Sequence, residues 1–246
     1  MILRKFWVRH RDQLIEKAYK VMNQFDSLTP EVTSSPPLGN KIMVIAPHCD
    51  DETLGCGGTI YKHHQAGCTI EVIFVTESED SYLASTRRKE SENAAHILGI
   101  KRCHFLQQRE LTLRPTVENV SRVKNIIKDF RPEVLYLPHP FENQSDHKHT
   151  YQIVVSALGD YAHEIKCLCY EVWSTLMPNT LIDISEAIEV KKRATQCYQS
   201  QLSSNNYLEK IIGLNRYRTI VTTPEILYAE GFYKGSLKTL KRFFRI

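Results

Sequence analysis

From Ile42 onward, the chain alternates short apolar runs with longer segments in which apolar residues recur every three or four positions. Short buried strands separated by helices of this length are typical of βαβ units, in which the strands are parallel and helices cover both faces of the sheet. The sequence therefore predicts an α/β fold, a three-layer sandwich around a mostly parallel sheet. At 246 residues, the chain is long enough to bury such a core.

The alternation also places the individual elements. Strands are predicted at residues 42–46, 69–76, 103–106, 134–137 and 166–172, and helices at 53–66, 84–98, 117–130 and 149–161. Residues 184–201 and 206–214 are predicted to be helical, and residues 226–233 extended. Because ligands of open α/β sheets bind at the carboxyl ends of the strands, the residues that follow each strand are the first candidates for a functional site.

The two ends of the chain differ from this central domain (41–233) in composition and charge. Residues 1–26 are predicted to form an N-terminal amphipathic helix, and the Ser-, Thr- and Pro-rich residues 27–40 a linker. Residues 234–246 are a basic amphipathic tail. The net charge is +4, with +4 in residues 1–22 and +5 in the tail, so the rest of the chain carries −5. A net positive charge concentrated at the two ends does not indicate a nucleic-acid groove, and no nucleic-acid partner is expected.

Other features of the sequence indicate where in the cell the protein is located. No apolar run approaches the roughly 18 residues of a membrane-spanning helix, and the N-terminus lacks the apolar stretch of a secretory signal. Seven cysteines, mostly inside apolar stretches, are typical of reduced thiols. We therefore expect a cytoplasmic protein. The apolar stripes of the basic ends predict packing on the domain or on a second subunit of a homo-oligomer; the alternative is peripheral contact of residues 234–246 with anionic lipid at the inner membrane face.

Two polar clusters follow predicted strands. The first is Pro47–Glu52 (PHCDDE), where a dinucleotide-binding fold would place a glycine-rich turn. Its carboxylates would repel a phosphate and suit a cation. His48 and Asp51 supply the imidazole nitrogen and carboxylate oxygen that zinc binds in proteins, and Asp50 is placed to accept a proton from water at the ion. His147, after the fourth strand, would complete a His₂Asp site with an open position, which is the catalytic arrangement.

Each cluster also has a simpler explanation. The carboxylates of residues 50–52 favour the positive end of a helix dipole, and His147 and His149 are also compatible with a solvated loop. Because both clusters follow strands of one α/β pattern, the metal-binding interpretation is favoured.

The ordered motifs resemble the LmbE-like family of zinc deacetylases, which includes the N-acetylglucosaminyl-phosphatidylinositol de-N-acetylases. The resemblance spans residues 41–233 and begins with the strand and the Pro47–Glu52 motif. An Arg-x-x-Glu helix ending in Leu-Gly, an Asp-His pair, a Lys-x-x-Ala…Ser-Gln helix and an Ala-Glu-x-Phe segment follow in order. These motifs are matched by Arg87, Glu90, Leu98, Gly99, Asp146, His147, Lys191, Ala194, Ser200, Gln201, Ala229, Glu230 and Phe232.

The resemblance implies a Rossmann-like fold and a set of site residues. The implied Zn²⁺ ligands are His48, Asp51 and His147, the implied general base is Asp50, and Arg87 is expected to face the substrate. The implied activity is removal of the acetyl group from an N-acetylated amino sugar, with release of acetate. Two other classes stay open: another metallohydrolase, acting on a phosphoester or a peptide, and a non-catalytic metal- or sugar-binding protein of the same fold.

The sequence departs from the family pattern at Gln144, at Tyr198 and after the second strand, where Thr76-Glu77-Ser78 lacks the usual glycine. Gln144 stands where the family usually has a histidine that stabilises the oxyanion; its amide can donate a hydrogen bond but cannot act as a general acid. We predict that Gln144 and Asp146 are catalytic together with Asp50, with His139 or His149 as alternative replacements for the missing histidine. The histidine often found before Ser-Gln is replaced by Tyr198.

Overall fold

The computed structural model describes residues 29–159, 165–203 and 205–244. The chain divides into two compact units, residues 1–30 and 31–246, and the strands and helices of the described residues all belong to the second. The helix predicted at residues 1–26 lies outside the described residues. Each helix that the structure describes is too short or too polar to cross a lipid bilayer.

Eight strands form one open sheet in the described part of the chain. They are β1 Glu31–Thr33, β2 Lys41–Ala46, β3 Thr69–Glu77, β4 Arg102–Arg109, β5 Val134–Pro138, β6 Lys166–Tyr170, β7 Thr180–Asp183 and β8 Ala229–Gly235. Their order across the sheet is β1-β7-β8-β6-β5-β2-β3-β4. All neighbouring pairs of this described sheet are parallel except those of β8, which runs antiparallel to β6 and β7. The predicted α/β fold with a mostly parallel sheet is confirmed.

Helices cover both faces of the sheet. They are α1 Asp51–Gln65, α2 Ser81–Leu98, α3 Val117–Phe130, α4 Ser145–Ala157, α5 Ile188–Thr195, α6 Gln199–Leu202, α7 Tyr207–Tyr217 and α8 Leu237–Phe244, with a 3₁₀ turn at Arg218–Val221. Successive side chains of β2 point to opposite faces. Val44 therefore packs in a core that α1, α2 and α5 cover, and Ile45 in a second core that α3, α4 and α8 cover. These two cores make the three layers that the sequence predicts.

The segment predicted as a linker, residues 27–40, contributes a strand. Within it, β1 pairs in parallel with β7, and the main-chain N–H of Glu31 donates to the carbonyl of Asn179 at 2.9 Å. β1 has three residues and β7 has four, which is too short for an alternating pattern to be visible. The segment predicted as a linker therefore includes the strand β1, and neither β1 nor β7 was predicted from the sequence.

The basic tail, residues 234–246, is continuous with the domain over its described part. β8 runs to Gly235 and α8 follows directly. Leu240 is fully buried, and its carbonyl accepts a hydrogen bond from the Tyr151 hydroxyl of α4 at 2.7 Å. The apolar stripe of the tail thus packs on the domain, which is the first of the interpretations that the sequence allows.

Two helices differ from their predicted bounds. The helix predicted at 149–161 begins at Ser145, because Gln144 caps it, and its predicted end lies outside the described residues. His147 is therefore in the first turn of α4 rather than in a loop. The helix predicted at 184–201 is divided into α5 and α6 by a turn at residues 196–198.

Candidate metal centre and active site

The carboxyl end of β2 turns sharply into α1 through residues 47–50. Asp50 has φ = 129°, a backbone conformation that favours glycine. Such a conformation costs about 1–3 kcal/mol and persists only where the surrounding structure holds it. The Asp50 side chain is 4% exposed and sits at the amino end of α1. Asp50 thus lies at the strand-to-helix junction, between His48 and Asp51 in the sequence.

His48, Asp51 and His147 meet at the carboxyl edge of the sheet. One ligand atom from each of the three lies within 4.8 Å of the other two. Oδ2 of Asp51 is 3.1 Å from Nδ1 of His48 and 3.1 Å from Nε2 of His147. His48 and Asp51 come from the β2–α1 junction and His147 from α4, which follows β5. Because β2 and β5 are parallel neighbours, their carboxyl ends bring these residues together.

The unpaired atoms of this cluster fit a cation. Among the described residues, Oδ1 of Asp51 and both ring nitrogens of His147 are buried and make no well-aligned hydrogen bond, although Nε2 of His147 lies 3.1 Å from Oδ2 of Asp51. A buried polar atom left unpaired costs about 1–3 kcal/mol, so a partner for these three atoms is expected. Two imidazoles and one carboxylate are a common ligand set of catalytic zinc. The residues present therefore have the chemistry to hold a divalent ion.

The pKa values of His48, Asp51 and Asp50 are shifted by their burial and by their hydrogen bonds and charges on one another. Burial lowers the pKa of His48, but hydrogen bonds to Asp146 and Asp51 outweigh burial and raise this pKa to about 10. Burial raises the pKa of Asp51, but His147 and His48 hold it well below its ordinary value. Burial and the neighbouring charge of Asp51 raise the pKa of Asp50 well above its ordinary value. A metal ion at this place would take over the role of the protons, as metal binding generally does.

Two further carboxylates lie near the histidines of the cluster. Oδ2 of Asp146 is 3.2 Å from Nε2 of His48, and it also accepts the main-chain N–H of Leu111 at 2.7 Å. Oε1 of Glu142 lies 3.9 Å from Nδ1 of His147. The Asp146 contact is of the kind that fixes the ring orientation of a metal-binding histidine, whereas the 3.9 Å between Glu142 and His147 is beyond hydrogen-bond distance. Glu142 was not predicted, although it lies in the same segment after β5 as the predicted ligand His147.

Gln144 acts as the cap of α4 and also reaches the metal centre. Its Oε1 accepts the main-chain N–H groups of Asp146 at 2.7 Å and of His147 at 3.2 Å. Its Nε2 lies 3.1 Å from Nε2 of His48. The amide donor predicted to contact an oxyanion is therefore at the edge of the cluster.

The two histidines named as alternatives to Gln144 are placed differently. Nε2 of His139 is 2.9 Å from the carbonyl of Ser174, and its Nδ1 accepts the main-chain N–H of Phe141 at 3.2 Å. Both nitrogens of His139 are thus engaged. His149 has a buried Nδ1 without a partner among the described residues.

Arg87 points towards the loop between β4 and α3. Its Nη1 lies 2.7 Å from Oε1 of Glu110, and its side chain is 17% exposed. The next residue of that loop, Leu111, has φ = 64° and donates its N–H to Asp146. The loop thus contacts both Arg87 and Asp146. The sequence did not predict these two contacts.

Other motif residues hold the elements around the centre. Glu90 of α2 accepts the N–H and the hydroxyl of Ser200 at 2.8 and 2.6 Å. Nζ of Lys191 lies 2.6 Å from Glu230, and both side chains are fully buried. A Cβ on Gly55 would lie 2.3 Å from the Tyr170 ring, so this glycine permits close packing of α1 on the sheet.

The fold and the centre define a Rossmann-like α/β protein with a His₂Asp candidate cation site at the carboxyl ends of parallel strands. Residues 43–158 match the family model described as PIG-L, GlcNAc-PI de-N-acetylase. This segment matches a PIG-L/LmbE-like family domain, and the predicted resemblance is confirmed.

Known relatives carry deacetylase names. The chain is 29% identical over 188 residues to a diacetylchitobiose deacetylase of Thermococcus kodakarensis, covering 65% of this chain and 70% of the relative. It is 26% identical over 216 residues to a probable N-acetyl-alpha-D-glucosaminyl L-malate deacetylase 2 of Bacillus anthracis, covering 78% and 93%. The structure of N,N'-diacetylchitobiose deacetylase from Pyrococcus horikoshii, in complex with its inhibitor MPG, superposes with a TM-score of 0.72 at 24% identity, covering 81% of this chain and 85% of that chain. This last likeness concerns the fold.

Proposed function

We propose that this protein is a zinc-dependent N-deacetylase that hydrolyses the acetamide of an N-acetylated amino sugar and releases acetate. The observation that carries the proposal is the cluster of His48, Asp51 and His147, with one ligand atom of each within 4.8 Å of the others and with Asp50 beside them. The deacetylase family domain and the N-acetyl sugars in the names of two relatives support the substrate class.

His48, Asp51 and His147 would hold the ion. Zn²⁺ in such a site polarises the acetamide carbonyl and makes a water molecule acidic near neutral pH. Three protein ligands leave a position open, as in catalytic rather than structural zinc sites. Asp146 keeps the His48 ring in place from outside the cluster.

Asp50 moves the proton. Its carboxylate accepts a proton from the attacking water as the C–O bond forms. The same carboxyl group then gives this proton to the amine nitrogen as the C–N bond breaks, so acetate and the free amino sugar leave. We assign both proton transfers to Asp50 because Gln144, which stands where the family usually has a histidine, cannot act as a general acid.

Gln144 and Arg87 bind the substrate. Nε2 of Gln144 donates a hydrogen bond to the carbonyl oxygen as negative charge develops on it, a contact typically worth about 3–4 kcal/mol in the transition state. Arg87 exchanges its partner Glu110 for a hydroxyl or a phosphate of the sugar.

The decisive experiment measures acetate release and zinc content together. The zinc-loaded protein is incubated with N-acetylglucosamine and N,N'-diacetylchitobiose, and mass spectrometry follows the loss of an acetyl group. Asp50→Asn is expected to abolish turnover with an unchanged zinc content. Near-normal turnover of this variant would remove Asp50 from the mechanism. A wild-type protein that cleaves p-nitrophenyl phosphate but no acetamide would support the other metallohydrolase class.

A further inference from the structure

The peptide group between Cys49 and Asp50 is hydrogen-bonded on both sides. Its carbonyl oxygen, on Cys49, accepts a hydrogen bond from Nε2 of Gln201 at 3.1 Å. Its N–H, on Asp50, donates to Oε2 of Glu52 at 3.3 Å. This is the peptide group that precedes the unusual φ of 129° at Asp50. The orientation of the Asp50 side chain therefore depends on these two hydrogen bonds.

Glu52 is itself held by a residue far away in the sequence. It is fully buried, and its Oε1 accepts a hydrogen bond from the Tyr198 hydroxyl at 2.5 Å and another from the Thr53 hydroxyl. Tyr198 is 1% exposed. With two donors on Oε1, the carboxylate of Glu52 is fixed with Oε2 directed at the Asp50 amide.

Tyr198 and Gln201 belong to one short segment at the start of α6. Between them, Ser200 donates its N–H and its hydroxyl to Glu90 of α2 at 2.8 and 2.6 Å. The segment is thus anchored to α2 and reaches the Asp50 peptide from two directions, directly through Gln201 and indirectly through Tyr198 and Glu52. Neither side chain belongs to the His48–Asp51–His147 cluster.

We propose that residues 198–201 form a clamp that imposes the backbone conformation of Asp50 and so directs its carboxylate at the candidate metal centre. Tyr198 and Gln201 are then positioning residues for the general base, and this role rests on the proposed function. An aspartate at φ = 129° relaxes unless its neighbours hold it. Because catalysis is sensitive to displacements of about 1 Å, which can cost about 100-fold in rate, relaxation lowers kcat without affecting zinc binding.

The test removes each clamp contact in the full-length zinc-loaded protein. Tyr198→Phe deletes the hydroxyl, and Gln201→Met replaces the amide by an apolar group of similar length. Each is expected to lower kcat for acetate release by roughly 10- to 100-fold, with KM and zinc content unchanged. Tyr198→His restores a donor to Glu52 and is expected to recover much of kcat; equal losses in Tyr198→Phe and Tyr198→His contradict the role of the donor.

Two matched controls lose similar hydrogen bonds elsewhere. Tyr136→Phe removes a buried hydroxyl that lies 2.8 Å from Nε2 of His63, and Gln108→Met removes an amide that donates to the carbonyl of Leu106 at 3.3 Å. Both controls are expected to keep the wild-type kcat. A fall in kcat of the same size in the controls as in the clamp variants contradicts the proposal.

A second measurement is independent of activity. Hydrogen exchange of the Asp50 amide, followed by NMR, is expected to be at least about tenfold faster in Tyr198→Phe and Gln201→Met than in the wild type and the controls. Unchanged exchange in both clamp variants overturns the clamp. If the wild-type protein releases no acetate from any N-acetyl sugar, the proposed function fails, and amide exchange alone then decides whether residues 198–201 hold the Asp50 backbone.

Discussion

Nε2 of Gln144 lies 3.1 Å from Nε2 of His48, although the two residues are 96 positions apart in the sequence. The opposite end of the same amide, Oε1, accepts the first free N–H groups of α4. One side chain therefore caps the helix that carries His147 and also directs a hydrogen-bond donor at the metal centre. The cap fixes the position of the donor, so capping and the proposed catalytic role are coupled at Gln144.

Gln144→Glu separates the two roles. A carboxylate still accepts the N–H groups at the start of α4, and its charge suits the positive end of the helix dipole, so the free energy of unfolding should change by less than about 1 kcal/mol. The donor is lost, however, and kcat for acetate release should fall by about 10²–10³-fold. Gln144→Ala should lose both properties. Urea unfolding and steady-state kinetics measure the two effects; full activity of Gln144→Glu would exclude a donor role for Gln144.

Zinc should stabilise the wild-type protein measurably. An ion that binds only the folded state at 100 times its Kd adds about 2.7 kcal/mol, which corresponds to a rise in Tm of roughly 5–10 °C for a chain of this size. Asp51→Asn and His147→Gln should abolish this rise, and dipicolinate should reverse it in the wild type. His149→Gln, which changes a histidine two residues from His147, serves as the control. This variant should keep the rise in Tm on addition of zinc. Differential scanning fluorimetry with and without zinc measures all four proteins.

The parts of the site that the sequence predicts depend on local spacing and on sheet topology. His48 and Asp51 are three residues apart at the end of a recognisable apolar strand, and His147 follows another. Parallel strands place their carboxyl ends at one edge, and β2 and β5 are neighbours in the sheet. These two facts are enough to bring the three residues together without knowledge of any side-chain contact.

The parts that the sequence does not predict depend on contacts between distant residues. The hydrogen bond from Tyr198 to Glu52 joins residues 146 positions apart, and no local pattern marks either as a partner of the other. The start of α4 depends on a cap by glutamine, whereas the common caps are Ser, Thr, Asp and Asn. β1 and β7 stabilise each other through pairing, and neither has enough residues to show the period of a strand.

Removing one partner of the buried ion pair of Lys191 and Glu230 should destabilise the protein strongly. Glu230 also accepts the N–H groups of Gly58 and Thr59 at 2.9 and 2.8 Å, so the pair joins α1, α5 and β8. Lys191→Met leaves the carboxylate of Glu230 without its counter-charge and should lower the free energy of unfolding by about 3–5 kcal/mol. Urea denaturation measures this loss.

A neighbouring ion pair provides the control. Lys192 pairs with Glu189 at 2.7 Å, but the two side chains are 31% and 76% exposed. Lys192→Met should therefore change the free energy of unfolding by less than about 1 kcal/mol. If Lys191→Met and Lys192→Met lower the free energy of unfolding equally, the larger effect expected for the buried pair is contradicted.

His63 should make the protein less stable in mild acid. Burial lowers the pKa of His63 to about 4, whereas an unfolded histidine titrates near 6.5. Between these values the unfolded chain binds more protons than the folded chain, so the free energy of unfolding falls as the pH drops from about 6.5 towards 4. By pH 5 this group should have removed about 1–2 kcal/mol. His63→Gln lacks the titrating ring and should lose correspondingly less free energy of unfolding between pH 8 and pH 5.

The exposed His96 provides the control, since His96→Gln should lose as much free energy of unfolding as the wild type. Urea unfolding at both pH values compares the three proteins. Identical losses in the wild type and His63→Gln would contradict the assignment to His63.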